Sequence, residues 1–295
     1  MKLLSSLKSG FIRSARAWRG IMIMWLSSLM LVSLVAIPLK HALKTDLGNS
    51  MITEKLAHGI NIEVFADLGS SFRNLGSYFI SGFMLIILIG FIINVFLTGG
   101  LFSNLRKSSL SFSIQEYLQA SAKYFLPFLI VSVFISIIIL FLFILICLIP
   151  LSIAVQAAAS VEGALLKTAI VSGSVYLLLV AILLQVADYS RAWLVSSARP
   201  QSLKALGFGF KYTFRTFPSS YSLVLIILLV QFLFGWLVLH IIPGIKPTGE
   251  IGIIMLFVLS QSLFVIKIYL KTWRFGSMTN MMELNPLESS RSESR

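Results

Sequence analysis

Acidic residues are scarce. Asp and Glu together number 11 among 295 residues, and charged residues of both signs make up only 12%, against about 25% in soluble domains. That deficit excludes an ordinary water-facing surface. Cysteine occurs once, at Cys147, which excludes a disulfide framework and leaves a thiol whose expected role is packing. No H-E-x-x-H, G-x-S-x-G, Walker A or C-x-x-C pattern is present, and no paired carboxylates are spaced to face one another. Asp46, Glu54, His58, Glu63 and Asp67 fall at spacings that match no metal site and read as a solvated loop. His240 stands alone, without acidic neighbours, and reads as structural. The residues offer no basis for an enzyme, a cofactor or a metal centre.

What fills the chain instead is apolar residues, 57% of the total, gathered into six runs at about 20–39, 78–97, 124–149, 168–193, 220–242 and 251–273. A bilayer core about 30 Å thick needs about 20 apolar residues of helix to cross it, and lipid offers no partner to an open backbone group. The expected fold is therefore all-α, a polytopic transmembrane bundle of six spans forming one domain over residues 1–275. The polar, Ser-rich residues 276–295 read as a disordered tail. The first run is longer than a signal-peptide core and follows a long amphipathic segment, so it reads as an uncleaved span.

The net charge of +13 is a topology signal, with no nucleic-acid partner expected. Seventeen cations lie on one side of the six spans: Lys2, Lys8, Arg13, Arg16 and Arg19; Arg106, Lys107 and Lys123; Arg191, Arg199, Lys204, Lys211 and Arg215; Lys271, Arg274, Arg291 and Arg295. Six lie on the other, and Lys267 falls within a span. The positive-inside rule then puts both termini in the cytoplasm.

Basic amphipathic segments precede the odd-numbered spans. Leu3, Leu4, Leu7, Phe11, Ala15 and Trp18 recur at helical spacing, with Lys8, Arg13 and Arg16 off that stripe. Ser113-Ile114-Gln115-Glu116 is a capping box that opens a second helix carrying Ile114, Tyr117, Leu118 and Phe125 on one face. In the third segment Leu203, Leu206, Phe210 and Phe214 form the apolar face, and Lys204, Lys211 and Arg215 the basic one. Arg13, Arg16, Arg19, Lys204, Lys211 and Arg215 are thus the interfacial cations expected to meet anionic lipid headgroups. Each odd span ends in Ile-Pro, at Pro38, Pro150 and Pro243, and the second ends in paired glycines, Gly99 and Gly100, that stop or bend a helix. Each even span carries one polar residue, Asn94, Gln185 or Lys267, with an aromatic eight positions on, Phe102, Trp193 or Phe275. This recurrence suggests three tandem units of amphipathic helix plus hairpin, at about 1–106, 110–199 and 200–275.

Ionisable and amide side chains inside lipid are costly and become the first functional candidates. Asp188 is the one carboxylate within a span, Arg191 follows three residues on, and Lys267 and Lys271 lie at similar depth in the last span. Two readings stand open. The four form a polar cluster that binds an anionic headgroup or gates a path, or they are a boundary ion pair with lysine stems reaching the interface. Asn94, Gln185, Gln231 and Gln261 suit hydrogen bonds between helices, and Ser132-x-x-x-Ser136 and Ala169-x-x-x-Gly173 suit close helix packing.

The segments GGLFSNLRKSSLSFSIQEYLQASAKYFLP and DYSRAWLVSSARPQSLKALGFGFKYTFRTFP resemble those of a large set of prokaryotic six-span membrane proteins of unassigned function. There too a Gly-Gly-Leu turn precedes an amphipathic helix, and an Asp-Tyr-x-Arg end of span four precedes another. The chain is similar over most of residues 76–240 to the membrane portion attached to some glycerophosphodiester phosphodiesterases. The soluble phosphodiesterase part has no counterpart in these residues, so no catalytic residue carries over. The resemblance implies a multi-pass inner-membrane protein associated with lipid or envelope processes. Two functional readings follow: a non-enzymatic module that organises lipid or an unidentified protein partner through its basic interfacial helices, or a transport component such as an ABC-2-like permease subunit.

Overall fold

A computed structural model describes residues 2–47, 69–106, 112–157, 163–197, 201–241 and 250–284, and every regular element among them is helical. In chain order the helices are α1 (Lys2–Arg16), α2 (Trp18–Leu47), α3 (Gly69–Arg106), α4 (Ile114–Phe143), α5 (Ile149–Ala157), α6 (Ala164–Ser197), α7 (Ser202–Arg215), α8 (Phe217–Ile241) and α9 (Glu250–Leu284). Five residues of wider, π-type winding, Ile144–Leu148, join α4 to α5. Six stretches are long and apolar enough to cross a bilayer: Trp18–Pro38, Ile80–Arg106, Ile114–Gln156, Ala164–Ser197, Phe217–Ile241 and Ile251–Leu284. The protein is an all-α, multi-pass membrane protein. Of the acidic loop, residues 48–68 lie outside the described residues, as do 242–249 and 285–295.

The helix boundaries correct several expectations. Pro38 lies inside α2 and Pro150 inside α5, so neither ends its helix; the first apolar stretch does close at Pro38, whereas the third runs past Pro150 to Gln156, and Pro243 lies outside the described residues. The π-type turn ends just before Pro150, and such widened turns relieve the clash of a proline ring with the preceding carbonyls. Gly99 and Gly100 neither stop nor end α3, which runs on to Arg106. Most consequentially, residues 276–284 are not disordered: they continue α9, with Ser277, Met278 and Met281 fully buried. The hydropathy drop at Arg274 had marked a loss of lipid contact, and the helix persists there because it meets protein instead.

The lead-in helices differ in how they join their spans. Between α1 and α2 the only break is at Ala17, whose N–H is shared by Arg13 O at 3.0 Å and Ser14 O at 3.1 Å. Between α7 and α8 the chain turns at Thr216, and Pro218 follows within the first turn of α8, where its missing N–H has no partner to lose. The second lead-in is no separate element. Capped by Ser113, whose Oγ accepts from the Glu116 N–H at 3.5 Å, α4 runs unbroken through Pro127 into the span.

The helices group into two compact units, Ile23–Asn94 and Met1–Met22 with Val95–Arg295. In the smaller unit α2 and α3 meet at glycines: a Cβ added at Gly82 would sit 2.9 Å from Val35 Cγ1, and one at Gly90 would sit 3.4 Å from Leu31 Cδ2. In the larger unit the buried side chains concentrate at the basic ends of the spans. There Phe102 packs on Phe275 with ring centroids 4.7 Å apart and on Phe128 at 5.8 Å, while the opposite ends present apolar side chains outward.

Three helix crossings build that basic end, and each depends on small residues. At α1 with α9, a Cβ on Gly10 would overlap Ser277. At α7 with α6, a Cβ on Gly209 would overlap Ser190 and come within 2.5 Å of Val186 O. At α3 with α4, a Cβ on Gly100 would lie 2.6 Å from Tyr117 O, and the Gly100 N–H donates to Ser121 Oγ at 3.2 Å. Contacts this close are what small residues permit between membrane helices.

Candidate functional site

Those crossings determine which face of each lead-in helix turns inward. In α1 it is Ser6, Gly10 and Ser14, held to α9 by Trp273 Nε1–H donating to Leu7 O at 2.9 Å and by Tyr269 Oη–H donating to Phe11 O at 3.2 Å. In α7 it is Ser202, Ala205, Leu206, Gly209, Tyr212 and Thr213. Leu206, expected on the same face as Leu203 and Phe214, therefore turns inward, and Tyr117 does the same in α4. The large apolar residues left outside include Leu4 (73% exposed), Trp18 at the start of α2 (54%), Leu203 (75%) and Phe214 (62%). Beside them Lys8, Arg16, Arg19, Lys204, Lys211 and Arg215 are also exposed. Arg13 departs from this group. It is half-buried and donates from both terminal nitrogens to Glu283, at 3.2 and 2.7 Å.

The span helix α6 is enclosed on every side over Gln185–Ser190, six consecutive buried residues. α7 comes in over Gly209, and Tyr189 meets Tyr212 at 4.6 Å between ring centroids. The Tyr212 hydroxyl donates to Met281 O of α9 at 2.9 Å. On the α8 side Gln185 Nε2 donates to Ser220 Oγ, which is itself 3.1 Å from Thr216 Oγ1.

Asp188 stands at the centre of this enclosed stretch with no exposed side-chain surface. Its Oδ1 accepts from Arg191 Nη1 at 3.3 Å. Its Oδ2 lies 2.7 Å from Arg274 Nε of α9, a close charge contact in which the N–H is not aimed for a hydrogen bond. Arg191 also donates from Nη2 to Ser132 Oγ of α4 at 2.9 Å, and the Ser132 hydroxyl in turn donates a hydrogen bond to Phe128 O at 2.6 Å. The Nε atoms of Arg191 and Arg274 are both buried without an acceptor. Lys271 is half-buried, within electrostatic range of Asp188, Arg191, Arg274 and Lys267, with its Nζ 5.5 Å above the Phe275 ring. Lys267 is exposed.

The structure thus brings Asp188, Arg191 and Lys271 together, with Lys267 one turn further along α9, and adds Arg274 and Ser132, which sequence reasoning left out. A signal for Arg274 was present: Lys267, Lys271 and Arg274 are spaced by four and three, the spacing of one helix face. The other polar residues lie apart. Asn94 belongs to the smaller unit, while Gln231 and Gln261 sit half-buried along α8 and α9. Gln261 is 13 residues from Arg274, about 20 Å along the helix axis. Among the described residues no three His, Cys, Asp or Glu side chains gather as metal ligands.

Chemically, the cluster is one carboxylate facing two guanidinium groups and a nearby amine inside a membrane helix bundle. It holds donors in excess of acceptors and cations in excess of anions. Compared with known proteins, the chain matches no family model, no curated protein and no solved structure.

Proposed function

We propose that the protein is a non-enzymatic module of a prokaryotic inner membrane, with both termini cytoplasmic, that engages anionic lipid through basic interfacial helices. The observation that carries this reading is the sidedness of α1 and α7. Both turn small residues toward the bundle, Ser6, Gly10 and Ser14 in α1 and Ser202, Ala205 and Gly209 in α7 beside buried Leu206 and Tyr212, and both leave large apolar side chains beside exposed cations outside. The headgroup boundary rewards both at once, with apolar burial below and about 1 kcal/mol per cation from the anionic leaflet. The resemblance to membrane portions attached to glycerophosphodiester phosphodiesterases supports the same lipid setting. The three glycine crossings support the reading of three tandem units, since each lead-in helix rests on an even-numbered span: α4 on α3, α7 on α6 and α1 on α9.

The test is lipid selectivity after reconstitution from a mixture of phosphatidylglycerol and phosphatidylethanolamine. The wild-type chain should enrich phosphatidylglycerol in the lipid it retains, and the variant Lys204→Glu, Lys211→Glu, Arg215→Glu should lose most of that enrichment. Equal enrichment by the two proteins would sink the reading.

A further inference from the structure

The charges around Asp188 do not balance. One fully buried carboxylate faces Arg191, with 15% of its side chain exposed, and Arg274, with 8%. Lys271 lies within electrostatic range of all three. Buried charge is tolerated when it is paired, and here the cations outnumber the available anion. The hydrogen-bond inventory leans the same way. A guanidinium carries five N–H donors; the Nε of Arg191 is buried without an acceptor, and the Nε of Arg274 is buried 2.7 Å from Asp188 Oδ2 without forming a hydrogen bond to it. What the cluster lacks is an anion with several acceptor oxygens.

The approach to the cluster points to where that anion comes from. Along one face of α9 the basic residues change from exposed Lys267 to half-buried Lys271 to buried Arg274. Lys267 adjoins exposed Ile266 in the apolar stretch of the span, the surface that lipid covers. The row of cations therefore leads inward from lipid toward two guanidinium groups, whose planar forks suit phosphate oxygens. Ser132 is an uncharged side chain hydrogen-bonded to the cluster.

We infer that Arg274, Arg191 and Lys271, with Lys267 at the entrance, form a phosphate site occupied by the headgroup of an anionic phospholipid that enters sideways from the bilayer. Asp188 does not touch the phosphate; it holds the two guanidinium groups side by side and limits the charge that the ligand must match. This site rests on the lipid-engaging reading above but uses none of the cations of α1 or α7, so the two can fail separately.

Native mass spectrometry of the full chain in mild detergent, titrated with phosphatidylglycerol, tests it. The expected result is one phosphatidylglycerol retained per chain against phosphatidylcholine, with retention weakened about tenfold in Lys271→Gln/Arg274→Gln. The α7 charge-reversal variant should keep that single lipid while losing general anionic enrichment. Because removing buried Arg274 can harm folding, Lys267→Glu serves as the second variant: it changes an exposed side chain and should weaken retention several-fold in a protein that elutes as wild type. Unchanged retention in both variants overturns the site. Millimolar inorganic phosphate is the other arm. If it displaces the lipid, or protects the protein against heating as well as phosphatidylglycerol does, the source is soluble phosphate and the lipid assignment fails.

Discussion

Replacing Asp188 with Asn removes the carboxylate from the buried cluster while nearly keeping its shape. At separations of 2.7 Å to Arg274 and 3.3 Å to Arg191, the gross attractions are about 6 and about 5 kcal/mol at an effective dielectric near 20. Much of that offsets the cost of removing three ions from water, so the pairs' net value is far smaller. The loss on mutation follows a different rule. Breaking a buried pair from one side strands the remaining charge and typically costs about 3–5 kcal/mol. Asp188→Asn strands two guanidinium groups, whereas Arg274→Gln leaves Asp188 paired with Arg191. The first should therefore be distinctly the more destabilising in lipid-free mild detergent, measured as the temperature at which half the protein is lost from the monodisperse peak. The double variant Asp188→Asn/Arg274→Gln should recover part of the loss, because it removes cation and anion together. If Asp188→Asn melts with the wild type, or Arg274→Gln proves the worse of the two, the cluster is not organised around its carboxylate and the charge accounting above is wrong.

The glycines of α7 offer an internal control. A Cβ at Gly209 would come within 2.5 Å of Val186 O while one at Gly207 meets nothing within 4 Å, so Gly207→Ala should stabilise by up to about 1 kcal/mol through helix propensity and Gly209→Ala should destabilise by about 1–3 kcal/mol through overpacking; thermal melts in the same order for both would refute the crossing. Arg13→Glu should loosen α1 from α9 by at most about 1 kcal/mol, since the Arg13–Glu283 pair is partly exposed. The rate of disulfide formation between Ser6→Cys and Met281→Cys, whose native side chains meet at 3.5 Å, should shift a few-fold in Arg13→Glu and return with Glu283→Arg. Gln185→Leu and Ser220→Ala each remove the same interhelical hydrogen bond, so a double-mutant cycle on stability should give a coupling of about 0.6–1.7 kcal/mol; strict additivity would count against the bond.

The spans were legible because lipid imposes a single rule on length and polarity, and each of the six runs coincides with a helical stretch long and apolar enough to cross a bilayer. The ends were less legible, for two physical reasons. Proline breaks a helix in water by leaving carbonyls unmet, but Pro38, Pro127 and Pro150 sit within helices here, as proline can in membranes where local adjustments satisfy the freed groups. The amphipathic lead-ins were visible as periodic patterns, yet their apolar stripes led the eye to the wrong packing face. Ser6, Gly10 and Ser14 look like filler beside Leu4 and Trp18, but in a bundle without a hydrophobic drive between helices the small face makes the close contact, with Phe11 packed at its edge on Tyr269 and Trp273, and Leu4 and Trp18 are left exposed.

The same reversal explains why Arg274 and residues 276–284 escaped the sequence reading. Hydropathy reports what lipid would accept, so the run appears to stop where Arg274, Gly276, Ser277, Thr279 and Asn280 begin. That stretch is polar and small because it lies against another polar, small surface, the inner face of α1, more than 250 residues away in the chain. Each half alone resembles a solvated segment, and only the pairing makes either one a core. Asp188 obeys the same logic. Three residues from Arg191 it reads as a local boundary pair, and its burial is set by α4, α7 and α9, none of which its own helix foretells. The arrangement makes α9 more than a final span. Its apolar first half is largely exposed, its last turns close the basic end against α1, and the cationic face between them leads to the one buried carboxylate described in the bundle.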